Sequence, residues 1–114
     1  MKGSMGDRAR VLHILEAISK VQVYVKGADF EKFQTDSMMA DACIRQMSII
    51  GEASNYISED TKSVFSDVPW RQMKGLRNIV VHEYFGVDLQ VVWNIIKNDL
   101  PNQRRQFDSI SKHL

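Results

Sequence analysis

Little in this sequence staples or punctuates a chain. Cys43 is the only cysteine among 114 residues, so no intrachain disulfide can form. Without a Cys/His ligand cluster a structural zinc site is not expected either, and no cofactor is expected. Pro69 and Pro101 are the only prolines, and no Asn-Gly turn or alternating apolar–polar run announces a hairpin, so a β-sheet has no footing. Neither charge sign dominates: Lys and Arg number 15 against 14 Asp and Glu, a formal +1. A protein basic as a whole is therefore excluded, and any nucleic-acid contact would come from a local patch. No run approaches about 18 apolar residues, so no segment is expected to span a membrane. The N-terminus is charged, contains glycine and has no apolar run behind it. It does not read as a secretion signal, and the expected location is the cytoplasm.

What is present is helical spacing. Apolar content of 44% and charged content of 25% are ordinary globular values. From Asp7 to about Lys26, the residues Val11, Leu12, Leu15, Ile18, Val21 and Val25 recur every three or four positions. Asp7 is placed to cap that helix. Gly27–Gln34 breaks the pattern. A second helix is expected after Thr35 or Asp36, with Met39, Ala42, Cys43, Met47, Ile50, Ala53 and Ile57 along one stripe. Ser58–Ser66 reads as a loop or short helical turn carrying Val64 and Phe65 inward. Pro69 suits the first position of a third helix, where its missing N–H costs nothing. That helix should run to about Tyr84 or Phe85, with Gly86 ending it in a left-handed conformation. Asp88 can cap a fourth helix carrying Leu89, Val92, Trp93 and Ile96, and Pro101 should break or kink the chain at Leu100. A last helix carries Phe107, Ile110 and Leu114. The short connections predict an all-α domain over residues 1–114, an up-and-down antiparallel bundle of four to five helices. Within that span residues 1–6 are read as disordered or extraneous.

The segment Gly75–Gly86 concentrates the chemistry. Arg77, His82 and Tyr84 supply a phosphate binder, a neutral-pH proton carrier and a hydroxyl, the groups that a metal-independent cut in RNA requires. On a helix, Arg71, Lys74, Asn78 and His82 form a polar stripe, while Trp70, Met73, Leu76, Val80 and Tyr84 form the apolar one. Arg77 lies at the edge of the apolar stripe, where a charge is costly unless paired or open to a cleft. At 100° per residue Arg77 and His82 stand about 140° apart, so one straight helix cannot aim both at one phosphate. Either the helix distorts near Gly75 and its end, or two copies of the chain complete the site. The second answer is favoured, because a mid-helix glycine costs about 1 kcal/mol relative to alanine and makes sense where another helix comes close. The last turn of the helix should also raise the His82 pKa. Each residue has a plainer reading as well. His82 could make a structural hydrogen bond, Tyr84 could pack in the core, Arg77 could pair with a carboxylate such as Glu52, and Arg71 and Lys74 could be a solvated face.

The surrounding residues add weight. Ile49-Ile-Gly-Glu-Ala-Ser54, Pro69-Trp70, Gly75-Leu-Arg-Asn78, His82-Glu-Tyr-Phe-Gly-Val-Asp88, Val92-Trp93 and Asn98-Asp-Leu-Pro101 recur in the order and spacing of one family. Over roughly Asp7 to Phe107 the chain resembles the HepT-like toxins of the HEPN superfamily, the partners of minimal (MNT-type) nucleotidyltransferases. The resemblance implies a helical bundle that forms a homodimer, with paired Arg/His motifs facing a shared cleft. It implies a metal-independent endoribonuclease, the toxin of a type VII-like toxin–antitoxin pair, with transfer RNA as a plausible substrate. By position Arg77 and His82 would be catalytic, Asn78 the adjacent polar residue, and Tyr84 the tyrosine to which the antitoxin adds AMP. Arg71 and Lys74 are further candidates for RNA contact. The alternative is a non-catalytic dimeric module that regulates the transferase or presents nucleotide to it.

Overall fold

A computed structural model of the chain describes the backbone of residues 2–82 and 88–114, and the side chains of residues 6–78 and 88–114. The described residues are helical apart from short connections, and no strand occurs among them. The elements are α1 (Lys2–Tyr24), α2 (Phe30–Thr35), α3 (Ser37–Asn55), α4 (Glu59–Val64), α5 (Trp70–His82) and α6 (Leu89–Asn94). A π-helical turn (Ile95–Asp99) then leads into α7 (Leu100–His113). Four rods make the bundle: α1, α3, α5 and the continuous α6–α7 rod. Their polar contacts set α1 antiparallel to α3 and to α7: Asp7 near the start of α1 meets Ser58 just past the end of α3, and Gln22 late in α1 meets Arg104 early in α7. Glu52 of α3 meets Arg77 of α5.

Apolar side chains recurring at three- and four-residue intervals bury one stripe of each rod against the others. Val11, Ile14, Ile18 and Val21 of α1 meet Cys43, Met47 and Ile50 of α3, Met73 and Leu76 of α5, and Phe107 and Ile110 of α7, all buried. The observed stripes are rotated slightly from the expected ones. Ile14 rather than Leu12 faces inward, and Leu12 is half exposed.

Five local expectations change. Helix α1 begins at Lys2, ahead of Asp7, so Asp7 is not its cap. Within Gly27–Gln34, Gly27 turns the chain at φ +77°. Asp29 then caps α2 by accepting from the Lys32 N–H at 2.9 Å. This short helix survives because Phe33 is fully buried and packs on Trp93, ring centroids 5.2 Å apart. Ser58–Ser66 contains α4, capped by Ser58, with Phe65 packed on the core but Val64 in solvent. Helix α5 begins at Trp70, one residue after Pro69, whose carbonyl accepts from the Met73 N–H.

Pro101 neither breaks nor ends the rod. The Leu100 N–H reaches back five residues to the Ile95 carbonyl, and Leu100 keeps helical angles of φ −60° and ψ −39°. The wider π turn makes room for the proline ring and absorbs its missing donor. Asp88 caps α6 as expected, and of the two starts left open for the second helix, Thr35 or Asp36, it is Asp36 that caps α3.

Candidate functional site

Gly51 sets the approach of α3 to α5. A Cβ built on Gly51 would lie 2.6 Å from the Arg77 backbone nitrogen and 3.2 Å from its Cα, so only glycine lets the two helices cross this closely. Gly75, the glycine expected to mark a close helix contact, has nothing within 4 Å of such a Cβ among the described residues. Among these residues the close approach therefore belongs to Gly51.

The crossing holds Arg77 at the rim of the apolar face. Met73 and Leu76 beside it are buried and Trp70 is half-buried, as the helical pattern requires. Arg77 itself is partly exposed and pairs with Glu52 of α3, Nη1 to Oε2 at 3.4 Å. This is the plainer pairing weighed from the sequence, with the carboxylate half exposed rather than buried. A guanidinium has five donors in a planar fork, so one carboxylate oxygen at that distance leaves most of it available. The ion pair aims the arginine without consuming it.

Asn55, Lys74, Arg77 and Asn78 line a pocket of about 220 Å³ between the end of α3 and the face of α5. Two cationic groups and two amides around one small concavity match a phosphate in charge and in donors. Lys74 and Asn78, expected on a polar stripe, join Arg77 here, whereas Arg71 is exposed on the same helix but does not line the pocket. Asn55 had no signal in the sequence. Its role follows from lying at the end of α3, opposite Lys74 and Asn78, and helix periodicity does not report neighbours on another rod.

Helix α5 runs to His82, and no break in the helical backbone occurs at Gly75. The His82 side chain lies outside the described residues, as do Tyr84 and Gly86. No group of three or more His, Cys, Asp or Glu side chains suited to a metal occurs among the described residues, and no described helix is long and apolar enough to cross a membrane.

Comparison with known proteins reaches the same region of the chain. The HepT-like ribonuclease family matches residues 14–110. A protein of Methanocaldococcus jannaschii named "Putative RNase" is 40% identical over 103 residues, covering 90% of this chain and 94% of its own. "Probable ribonuclease HepT" of Thermococcus cleftensis is 38% identical over 99 residues, 87% of this chain and 90% of its own. A further "Putative RNase", from Caldanaerobacter subterraneus, is 35% identical over 98 residues, 86% of this chain and 88% of its own. No solved structure matches the chain significantly.

Proposed function

The chain belongs to the HepT-like ribonuclease family of the HEPN superfamily, and from that premise we propose that it is a metal-independent endoribonuclease, the toxin of a toxin–antitoxin pair. The observation that carries the reading is the pocket on which Lys74, Arg77, Asn78 and Asn55 converge. A scissile phosphate bound there gains charge as a ribose 2′-OH attacks it, and Arg77 is placed to stabilise that charge. His82 takes the 2′-OH proton and returns one to the departing 5′-oxygen, leaving a 2′,3′-cyclic phosphate and a 5′-OH. Because one helix cannot aim both groups at one phosphate, the His82 that serves a given Arg77 comes from a second copy of the chain. Transfer RNA is the proposed substrate class.

Control is proposed to act on Tyr84. A partner nucleotidyltransferase adds AMP to its phenol, placing bulk and a negative phosphate near Arg77 and repelling RNA. Tyr84→Phe, co-expressed with the transferase, should gain no AMP mass at this position and should stay toxic. Neutralisation as efficient as for wild type would show that the antitoxin works elsewhere.

One observation favours the non-catalytic module instead: Arg77 already holds Glu52. The two readings separate in one assay. End-labelled single-stranded RNA is incubated with EDTA and wild type, Arg77→Ala or His82→Ala, with folding checked by thermal melts. Wild type should produce cyclic-phosphate ends, and each variant should lose roughly a hundredfold or more in rate. A folded His82→Ala that cleaves like wild type would defeat the acid–base role, and an inert wild type would leave the binding module.

A further inference from the structure

Glu52 also borders a second concavity. A groove of about 500 Å³ runs between α1 and α3, lined mainly by apolar atoms and flanked by Ala9, Arg10, His13, Glu52, Ala53 and Tyr56. At its end the Arg10 guanidinium stacks over the Tyr56 ring, 5.5 Å from the centroid. Even so, Tyr56 remains 57% exposed.

A single exposed tyrosine needs no explanation. This one lines a groove that is linked to the phosphate pocket through Glu52 and through its neighbour Asn55. Asn55 lines the pocket and Tyr56, the next residue, lines the groove, while Glu52 lines the groove and pairs with Arg77. A strand with its phosphate at Arg77 therefore meets Tyr56 and Arg10 as it passes the end of α3. A flat ring backed by a cation, beside an anion site, suits a nucleobase: the ring accepts a base face and the cation favours the adjoining phosphate. An apolar peptide would leave the guanidinium unused.

We propose that this groove is a base-binding subsite for the nucleotide flanking the cleaved phosphate, and that it selects unpaired RNA. The inference rests on the ribonuclease reading above. The base stacks on Tyr56, which is a positioning and specificity residue and takes no part in bond breaking. Stacking is tolerant of base identity, so the subsite senses that a base is unpaired rather than which base it is. A paired base keeps its faces inside the duplex and cannot enter.

The test uses the full chain as wild type, Tyr56→Ala and Tyr56→Trp, each checked by thermal melts and sedimentation. Substrates are a labelled single-stranded RNA, the same RNA with an abasic residue on either side of the cut, and the same sequence in a duplex. Tyr56→Ala should raise KM roughly tenfold on the intact strand with kcat within about twofold, and Tyr56→Trp should restore it. One abasic position should reproduce the loss with wild type, and Tyr56→Ala should add nothing there. An unchanged KM for Tyr56→Ala, or the same loss on intact and abasic RNA, overturns the subsite while leaving the ribonuclease reading in place. A shift of Tyr56→Ala from one oligomeric state to another also overturns it, since the groove would then be a self-association surface. If wild type binds RNA by fluorescence anisotropy without cutting it, the ribonuclease reading falls. The subsite then stands only if Tyr56→Ala and the abasic strand weaken binding together.

Discussion

Asp7 keeps a carboxylate where only 1% of the residue is exposed, and it does so by bonding to Ser58, the residue that caps α4, and to Thr61 within that helix. It accepts from the Ser58 N–H at 2.9 Å and from the Ser58 and Thr61 hydroxyls. Burial alone would push its pKa up. The hydrogen bonds from Ser58 and Thr61, with the charge of Arg10, outweigh burial and hold it below the ordinary 3.8. A carboxyl whose pKa is lower folded than unfolded stabilises the fold above the unfolded value, and that contribution is lost as pH falls through the folded one. Urea melts should therefore show part of the wild-type stability disappearing below about pH 4, with Asp7→Asn flattening that acid limb. An acid limb of the same slope in Asp7→Asn would show the charge to be irrelevant. Cys43 is the opposite case, for burial pushes its thiol up to about 12. It should resist iodoacetamide in the native protein and react on unfolding, as mass spectrometry would report. The Arg77–Glu52 pair is half in water, so Glu52→Gln should change stability by no more than about 1 kcal/mol.

At the scale of elements, the α3–α5 crossing carries the site. Gly51→Ala forces a methyl against the α5 backbone rather than against a movable side-chain tip. The expected cost is about 1–3 kcal/mol of unfolding free energy, with weaker binding in the Arg77 pocket because the helices separate there. Denaturant melts and phosphate titration would check both, and a wild-type melt for Gly51→Ala would mean the helices are not held that closely. Helix positions and caps such as Asp36 and Asp88 were legible in the sequence because they depend on residues three or four apart. The π turn before Pro101 was not. Local rules state that proline disfavours a helix at Leu100, but the decision to widen rather than break depends on Ile96, Leu100 and Phe107 all being buried in one rod. Helix α2 was missed for a related reason. Six residues are too few to hold a helix alone, and Phe33 on Trp93 supplies the difference.

For the whole molecule, no described residue comes within 4 Å of a Cβ placed on Gly75. On the two-copy reading a helix of the partner comes close at that point. Sedimentation at micromolar concentration should then show a dimer for wild type. Gly75→Ala should weaken that dimer while stabilising the separated chain by about 1 kcal/mol, the helix-propensity difference between the two residues. A wild-type monomer that still cleaves RNA would end the shared-site reading. A dimer indifferent to Gly75→Ala would keep two copies but move the contact elsewhere.

The sequence by itself determined the helical class, the starts of α3 and α6, and α5 as the helix that carries the candidate residues. Each of these follows from periodicity and capping within a few residues, and Met73, Leu76 and Arg77 fall on the faces that arithmetic assigns. The tertiary structure alone decided which distant residues share a site. It paired Asp7 with Ser58 and Thr61, brought Asn55 to Lys74 and Asn78, and made Gly51 rather than Gly75 the crossing point within the chain. The pairing of Glu52 with Arg77 could be named in advance as one option among several, and only the crossing selected it. The reason is physical. Spacing along one helix fixes angles about that helix, whereas register between helices is set by how side-chain ridges of both surfaces interlock, and neither sequence segment carries that information alone.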